Sequence, residues 1–169
     1  MADANFQRTV VLLVEHNDEG SLGFVLNRRL DVTLGEMMHD LAMPGAQVFL
    51  GGPVENTTLH YVHRRDDLIG AQEITEGVFW SGDFLSLQRW IQEGSLAPED
   101  ILFFVGYSGW GPGQLQAELD RKSWIVAPAT EELVFRPDPD GQDLWRDVLQ
   151  SLGDRYRIIS NYPIDPRLN

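Results

Sequence analysis

The chain has 169 residues, a formal net charge of −13 at pH 7 and no cysteine. This length fits one domain spanning 1–169, and the lack of cysteine excludes disulfides, thiolate metal ligands and a cysteine nucleophile. Because the acidic balance repels phosphate groups and the apolar runs are too short to span a bilayer, we expect a cytoplasmic protein that binds neither nucleic acid nor membranes directly.

The first half of the chain is predicted to be rich in β-strands. Two β-rich runs surround the turn sequence HNDEG, at 16–20, and predict a hairpin. A short helix follows, since Thr33 and Glu36 have the spacing of a capping box and Pro44 with Gly45 would end it. Strands are predicted at QVFLGGPV and TTLHYVHR, and a strand pair at AQEITEGVFWSG.

The second half of the chain adds helices to these strands. Asp83 is expected to cap the helix FLSLQRWIQEG, and the unbroken apolar run in DILFFVGYSGW predicts a central strand buried on both faces. A helix at GQLQAELDRK, a strand at SWIVAPA and a helix at DGQDLWRDVLQSLG follow, and the tail from Asp154 onward is expected to lie over the surface. This order without strict alternation predicts an α+β fold.

The stretch FVGYSGWGPGQLQAEL, at 104–119, shares features with three kinds of reactive loop. A Walker-type phosphate loop is excluded because the only lysine, Lys122, comes after the helix. A dinucleotide-binding loop is disfavoured because Gln114 occupies the place of its third glycine. The first four residues of a nucleophile elbow, G-x-S-x-G, match Gly106 to Gly109 around Ser108, but Trp110 occupies the position of the last glycine.

The histidines predict no metal site. His60 and His63 are three residues apart on a predicted strand, where they face opposite sides and cannot chelate as a helical zinc pair does. An Asx-type turn accounts for His16 with Asp18. Since the sequence puts no histidine beside Ser108, catalytic residues stay unassigned, and we expect neither a metal nor a cofactor.

The glycine-rich loop is better suited to recognition than to a reaction. Its glycines let the backbone come close to a ligand, and Tyr107 and Trp110 bring flat apolar faces with a polar tip. This set suits an anion or an aromatic ligand. A structural role remains open beside it, in which Trp110 fills the core and the glycines allow a tight corner between strand and helix.

The segments RTVVLLVEHNDEGSLGFVLNR, VFLGGPVE and GYSGWGPGQLQAEL, with the later WIVAP, resemble the AlgH family, also called YqgE or UPF0301, over nearly the whole chain. The resemblance implies a cytosolic bacterial protein with a strongly bent, mixed and largely antiparallel sheet, which forms a pseudo-barrel with helices packed outside. The family is described as transcriptional regulators, through a link to the control of exopolysaccharide production. It has no established enzymatic activity or DNA-binding element.

The family signature, carried over residue by residue, defines a candidate binding surface. Its members, with Leu115 beside them, are Asn27, Arg28, Gly51, Gly52, Pro53, Gly106, Tyr107, Ser108, Gly109, Trp110, Gly113, Gln114 and Glu118. The family pattern accepts alanine at Ser108, which disfavours a nucleophile there.

The start of the chain departs from the family pattern. Family members usually begin with an additional apolar, strand-like segment and a proline before the residues that match Asp3 and Phe6, whereas this chain starts at that match. We therefore expect the hairpin strand in RTVVLLVEH to have an open edge, which invites association with another chain.

Two classes of function follow from these observations. The favoured one is a non-catalytic regulatory or binding module, in which the glycine loop, GGPV and Asn27 with Arg28 form one surface for a small ligand or a protein partner. The alternative is a hydrolase-type enzyme with Ser108 as nucleophile or Glu118 as acid or base, and with Arg28 holding an anionic group.

Overall fold

The computed structural model describes residues 6–136, 141 and 143–160. Seven strands and six α-helices lie in this part of the chain: β1 (Val11–Asn17), β2 (Gly20–Val25), α1 (Leu34–Met37), β3 (Gln47–Leu50), β4 (Val54–His63), β5 (Gln72–Thr75), β6 (Val78–Trp80), α2 (Phe84–Glu93), β7 (Ile101–Trp110), α3 (Gln114–Asp120), α4 (Glu131–Val134), α5 (Asp143–Ser151) and α6 (Asp154–Ser160). None of these helices is long and apolar enough to cross a membrane.

The strands form one sheet in the order β1-β2-β7-β4-β6-β5, and β3 pairs with β7 beside this path. The β3–β7 pair is parallel and the other pairs are antiparallel. The sheet bends until it is nearly closed into a barrel, with the helices outside. The α+β fold class predicted from the sequence is confirmed.

Strand β7 is the centre of the molecule, as its apolar run predicts. Ile101, Phe103 and Val105 belong to one buried cluster, which also contains side chains of α1 and α2. Leu102 and Phe104 belong to a second cluster with side chains of β2, α4 and α5. Alternate residues of one strand thus fill two cores on opposite faces of the sheet.

Local signals in the sequence set several element ends. The Thr33 side chain accepts from the Glu36 N–H, and the Glu36 side chain accepts from the Thr33 N–H, so the predicted capping box is formed. Asp83 caps α2, and Gly94 ends it in the left-handed conformation with a φ of 68°. Helix α1 ends at Met37, before the end predicted at Pro44 and Gly45, and a 3-10 turn at His39–Leu41 follows.

One sequence prediction for the last third of the chain is wrong. Residues 123–130, which include SWIVAPA, form no strand and pair with no described strand. The tail from Asp154 onward is expected to lie over the surface, and its stretch Asp154–Ser160 is helix α6, which packs against α5 with most of its residues exposed. The rest of that tail, 161–169, lies outside the described residues. For SWIVAPA, local composition did not reveal whether a strand was present to pair with it.

Candidate functional site

A cleft of about 740 Å³ lies where the end of β7 meets helix α3. Its walls are the stretch from Thr9 to Leu12, the glycine loop with α3, the segment 123–129 beyond α3, and one side of α5. This volume is in the range of small-molecule sites. Trp110, the last residue of β7, is buried and also lines the cleft, so the cleft adjoins the core of the sheet.

The carboxylate of Glu118 organises one wall of this cleft. Its Oε2 accepts hydrogen bonds from the indole N–H of Trp110 at 3.1 Å and from that of Trp124 at 2.7 Å. Its Oε1 accepts from the Gln114 amide at 3.0 Å, and the Gln114 carbonyl oxygen accepts from the Gly111 N–H at 3.0 Å. One half-buried carboxylate therefore joins the glycine loop, α3 and the segment 123–129.

This arrangement keeps Glu118 ionised. Burial raises the pKa of its carboxyl. Hydrogen bonds from Trp124, Gln114 and Trp110, together with the charge of Arg121, lower the pKa by more, so it lies below its ordinary value. A carboxylate that accepts three hydrogen bonds has little tendency to take up a proton near neutral pH. Its main role in this geometry is to orient two indole rings.

The two tryptophans form an aromatic group with Phe6. The rings of Phe6 and Trp110 stack at 6.1 Å between centroids, and Phe6 meets Trp124 edge-on at 5.3 Å. Trp110 and Trp124 are also edge-on, at 5.7 Å. Such pairs fix ring orientation as well as burying apolar surface. The cleft therefore has a rigid aromatic side beside its polar side at Gln114 and Arg121.

The GGP motif and Gly106 interlock through their backbones. A Cβ at Gly52 would overlap with the carbonyl group of Tyr107. Gly106 has a φ of 67°, and a Cβ there would lie 2.7 Å from the Val54 carbonyl oxygen. These glycines allow the chain entering β4 to cross close over β7, which explains their presence without a ligand.

Ser108 lies inside the protein and not at an exposed elbow. Its side chain is fully buried, and its hydroxyl donates to the Gly51 carbonyl oxygen at 3.1 Å. That oxygen also accepts from the Val25 N–H at 2.9 Å. Ser108 is thus part of the contact between β7, β2 and the GGP motif.

Asn27 is also buried, and it connects distant parts of the chain. Its Oδ1 accepts from the Val10 N–H at 2.9 Å, while its Nδ2 donates to the Arg8 carbonyl at 2.8 Å and to the Gly141 carbonyl at 3.0 Å. The neighbouring Arg28 offers its carbonyl oxygen to the Leu50 N–H at 2.8 Å. This pair holds the start of the chain to the β2–β3 region.

The histidines of β4 have structural partners. His63 Nδ1 accepts from the Arg65 N–H at 3.2 Å and its Nε2 lies 2.8 Å from the Ser81 carbonyl, which requires a neutral ring protonated on Nε2. Burial lowers the pKa of His63, and burial likewise lowers the pKa of His60 against the opposing charge of Glu55. Across 6–136, 141 and 143–160, no group of three His, Asp or Glu residues could hold a metal ion.

Comparison with known proteins decides the family. The AlgH-like family model, DUF179, matches residues 1–157. The chain belongs to the AlgH-like family. The UPF0301 protein of Cytophaga hutchinsonii is 43% identical to this AlgH-like chain over 171 residues, which cover 100% of the chain and 93% of the relative. The UPF0301 protein of Chlorobium limicola is 42% identical over 170 residues, covering 100% and 90%.

Solved structures agree with this AlgH-like assignment. The solution structure of the AlgH protein from Pseudomonas aeruginosa superimposes with a TM-score of 0.73 at 31% identity, covering 98% of this chain and 89% of that one. A crystal structure of a Corynebacterium diphtheriae protein gives a TM-score of 0.78 at 22% identity, covering 96% and 86%, and supports the fold alone.

The AlgH-like signature residues divide between the cleft and the interior. Those that border the cleft are Pro53, Gly109, Trp110, Gln114 and Glu118. Those that do not line it are Asn27, Arg28, Gly51, Gly52, Gly106, Tyr107, Ser108 and Gly113. The cleft also uses Phe6, Trp124 and Trp145, which the sequence did not single out. No rule of sequence spacing predicts that a helix residue such as Glu118 contacts an aromatic residue beyond the end of its helix, such as Trp124.

Proposed function

We propose that this AlgH-like protein is a non-catalytic regulatory or binding module of the cytoplasm, whose cleft beside the glycine loop takes a small ligand or a protein partner. The observation that carries the proposal is the engagement of Glu118 by Trp110, Trp124 and Gln114. A carboxylate held in this way with a lowered pKa orients the aromatic wall and does not shuttle protons.

The composition of the cleft supports binding. Its lining combines apolar side chains of β1, of α5 and of Leu26, just after β2, with the polar groups of Gln114 and Arg121. Ligand sites commonly combine a mostly apolar lining with a few polar groups that fix orientation. The half-buried indole ring of Trp124, already oriented by Glu118, offers flat surface at little entropic cost, and the buried Trp110 supports it from below.

The hydrolase alternative has less support. A nucleophile must meet the substrate and a base, whereas the Ser108 side chain is fully buried and its hydroxyl donates to the Gly51 carbonyl. Glu118, the other proposed reactive group, is occupied as an acceptor. Both observations weigh against the reaction that the sequence left open.

Regulation through a partner, without direct contact to DNA, is consistent with the charge. A net charge of −13 at pH 7 disfavours the phosphate contacts that dominate protein–DNA affinity. We therefore propose that any effect on transcription passes through a protein or small molecule bound in the cleft.

A thermal-shift screen of metabolites and nucleotides, followed by turnover assays on every hit, tests the proposal. Ile125 borders the cleft, whereas its neighbour Val126 is 71% exposed and does not. Ile125→Arg should weaken binding of a hit at least tenfold, and the matched control Val126→Arg should leave it unchanged. If a hit is turned over and Ser108→Ala abolishes turnover while binding persists, the proposal is wrong.

A further inference from the structure

The outer edge of β1 borders the cleft and has no strand partner among the described residues. The backbone of Val10 faces the residues just after β2. Its carbonyl accepts from the Leu26 N–H at 2.9 Å, and its N–H donates to Asn27 Oδ1 at 2.9 Å. Backbone groups alternate sides along an antiparallel strand, so Val11 and Leu13 direct their N–H and C=O groups away from β2.

The segment 123–129 forms the facing side of the cleft. It has no assigned helix or strand, and its sequence SWIVAPA has the β-branched and aromatic composition of a strand. In the described part of the chain it joins no sheet, although the Ala129 carbonyl accepts from the Thr75 hydroxyl at 3.4 Å. The bond from Trp124 to Glu118 holds it beside α3. A chain of strand-like composition therefore lies opposite an open strand edge.

The floor between these two segments is apolar. Leu12 and Leu26 come from the β1–β2 hairpin, and Val148 and Leu149 come from α5. A floor of this kind favours apolar side chains pointing down from whatever occupies the cleft. An occupant with extended backbone would present alternate side chains to the floor and its N–H and C=O groups sideways to β1.

We propose, on the basis of the binding function above, that the cleft binds an extended peptide segment of a protein partner, which adds as a strand to the outer edge of β1. The main-chain hydrogen bonds supply affinity, and the apolar floor selects alternate apolar side chains. Because the chain carries a net charge of −13, the segment that fits has basic residues beside its apolar ones. A second copy of this acidic chain would be repelled by the same field.

The test uses the full chain and a fluorescent, end-blocked peptide of sequence Lys-Val-Thr-Val-Ile-Val-Lys. The matched control peptide has proline at the central valine, which removes one donor and breaks strand pairing while it keeps the charge. We expect the first peptide to bind at least tenfold more tightly than the control. Ile125→Arg should weaken this binding, and Val126→Arg should not.

Hydrogen exchange followed by NMR distinguishes strand addition from other binding. In the complex, the N–H groups of Val11 and Leu13 should exchange at least tenfold more slowly than in the free protein. The N–H of Leu12, which faces β2, serves as internal control and should change little.

Four results would overturn the inference. The first is no binding of the peptide, and the second is binding without slower exchange at Val11 and Leu13. The third is slow exchange of these groups already in the free monomer, which would place another part of the chain on the edge. The fourth is slowing that rises with protein concentration alone, which would identify a second copy as the occupant. A small molecule whose binding is lost in Ile125→Arg would leave the proposed binding function standing in each case.

Discussion

Trp124 donates its indole N–H to Glu118 across 2.7 Å, the shortest of the three hydrogen bonds on that carboxylate. The bond joins helix α3 to the segment 123–129, which pairs with no strand among the described residues. The position of this wall of the cleft therefore depends on side-chain contacts such as this bond more than on a backbone ladder.

Glu118→Gln should destabilise the fold by about 1–3 kcal/mol, because hydrogen bonds to a charged group are stronger than those to a neutral one. The amide NH2 of the glutamine would also face an N–H donor of Trp110, Trp124 or Gln114. Chemical denaturation followed by tryptophan fluorescence measures this loss. Glu76→Gln, at an exposed residue in the β5–β6 turn, is the charge-matched control and should change the free energy of unfolding by less than about 0.5 kcal/mol. Equal effects of the two substitutions would contradict the role given to Glu118.

The contribution of Glu118 should disappear in acid. Its folded pKa is lowered from 4.5, so the stability it supplies is complete above the unfolded pKa and is lost as the pH falls through the folded pKa. The difference in free energy of unfolding between the wild type and Glu118→Gln should be constant from neutral pH to about pH 5 and should shrink below about pH 4.5. A difference that stays constant to pH 3 would show that Glu118 has an ordinary pKa.

Two glycines of the signature should respond very differently to alanine. Gly52→Ala should cost about 3 kcal/mol or more, because its Cβ would overlap with the Tyr107 carbonyl and only a backbone shift relieves this. Gly113→Ala should cost about 1 kcal/mol, because its φ of 70° is strained for alanine but the space around it is open. Calorimetric melting compares them, and similar small shifts would mean that the GGP crossing is not closely packed.

The purified protein should not bind duplex DNA with submicromolar affinity at moderate salt. The physical reason is its charge of −13, which opposes the release of counterions that drives such binding. A fluorescence anisotropy titration at several salt concentrations checks this expectation. Submicromolar affinity that falls steeply with salt would show phosphate contacts and would refute it.

The sequence predicted those elements whose ends depend on neighbouring residues. The capping box of Thr33 with Glu36 and the cap of Asp83 are local, and both are formed. Pairing partners are not local. The parallel contact of β3 with β7 could not be predicted from either strand, and SWIVAPA was predicted to be a strand because composition reports β-propensity without reporting a neighbour.

The site was less predictable than the fold for a related reason. Trp110, Gln114 and Glu118 were proposed as members of one surface, and they do lie together because helix α3 starts directly after β7. Phe6 and Trp124 reach the same place from outside that unit. Long-range contacts of this kind have no signature in a single sequence.

The position of β7 has a consequence for how the chain is made on the ribosome. Its partners β2, β3 and β4 all precede it, so they leave the ribosome before the strand that joins them exists. At about 5–20 residues per second, they wait on the order of seconds with open edges. Nascent chains that end before Trp110 should therefore bind ribosome-associated chaperones. The chaperones should dissociate after Trp110, the last residue of β7, has been synthesised.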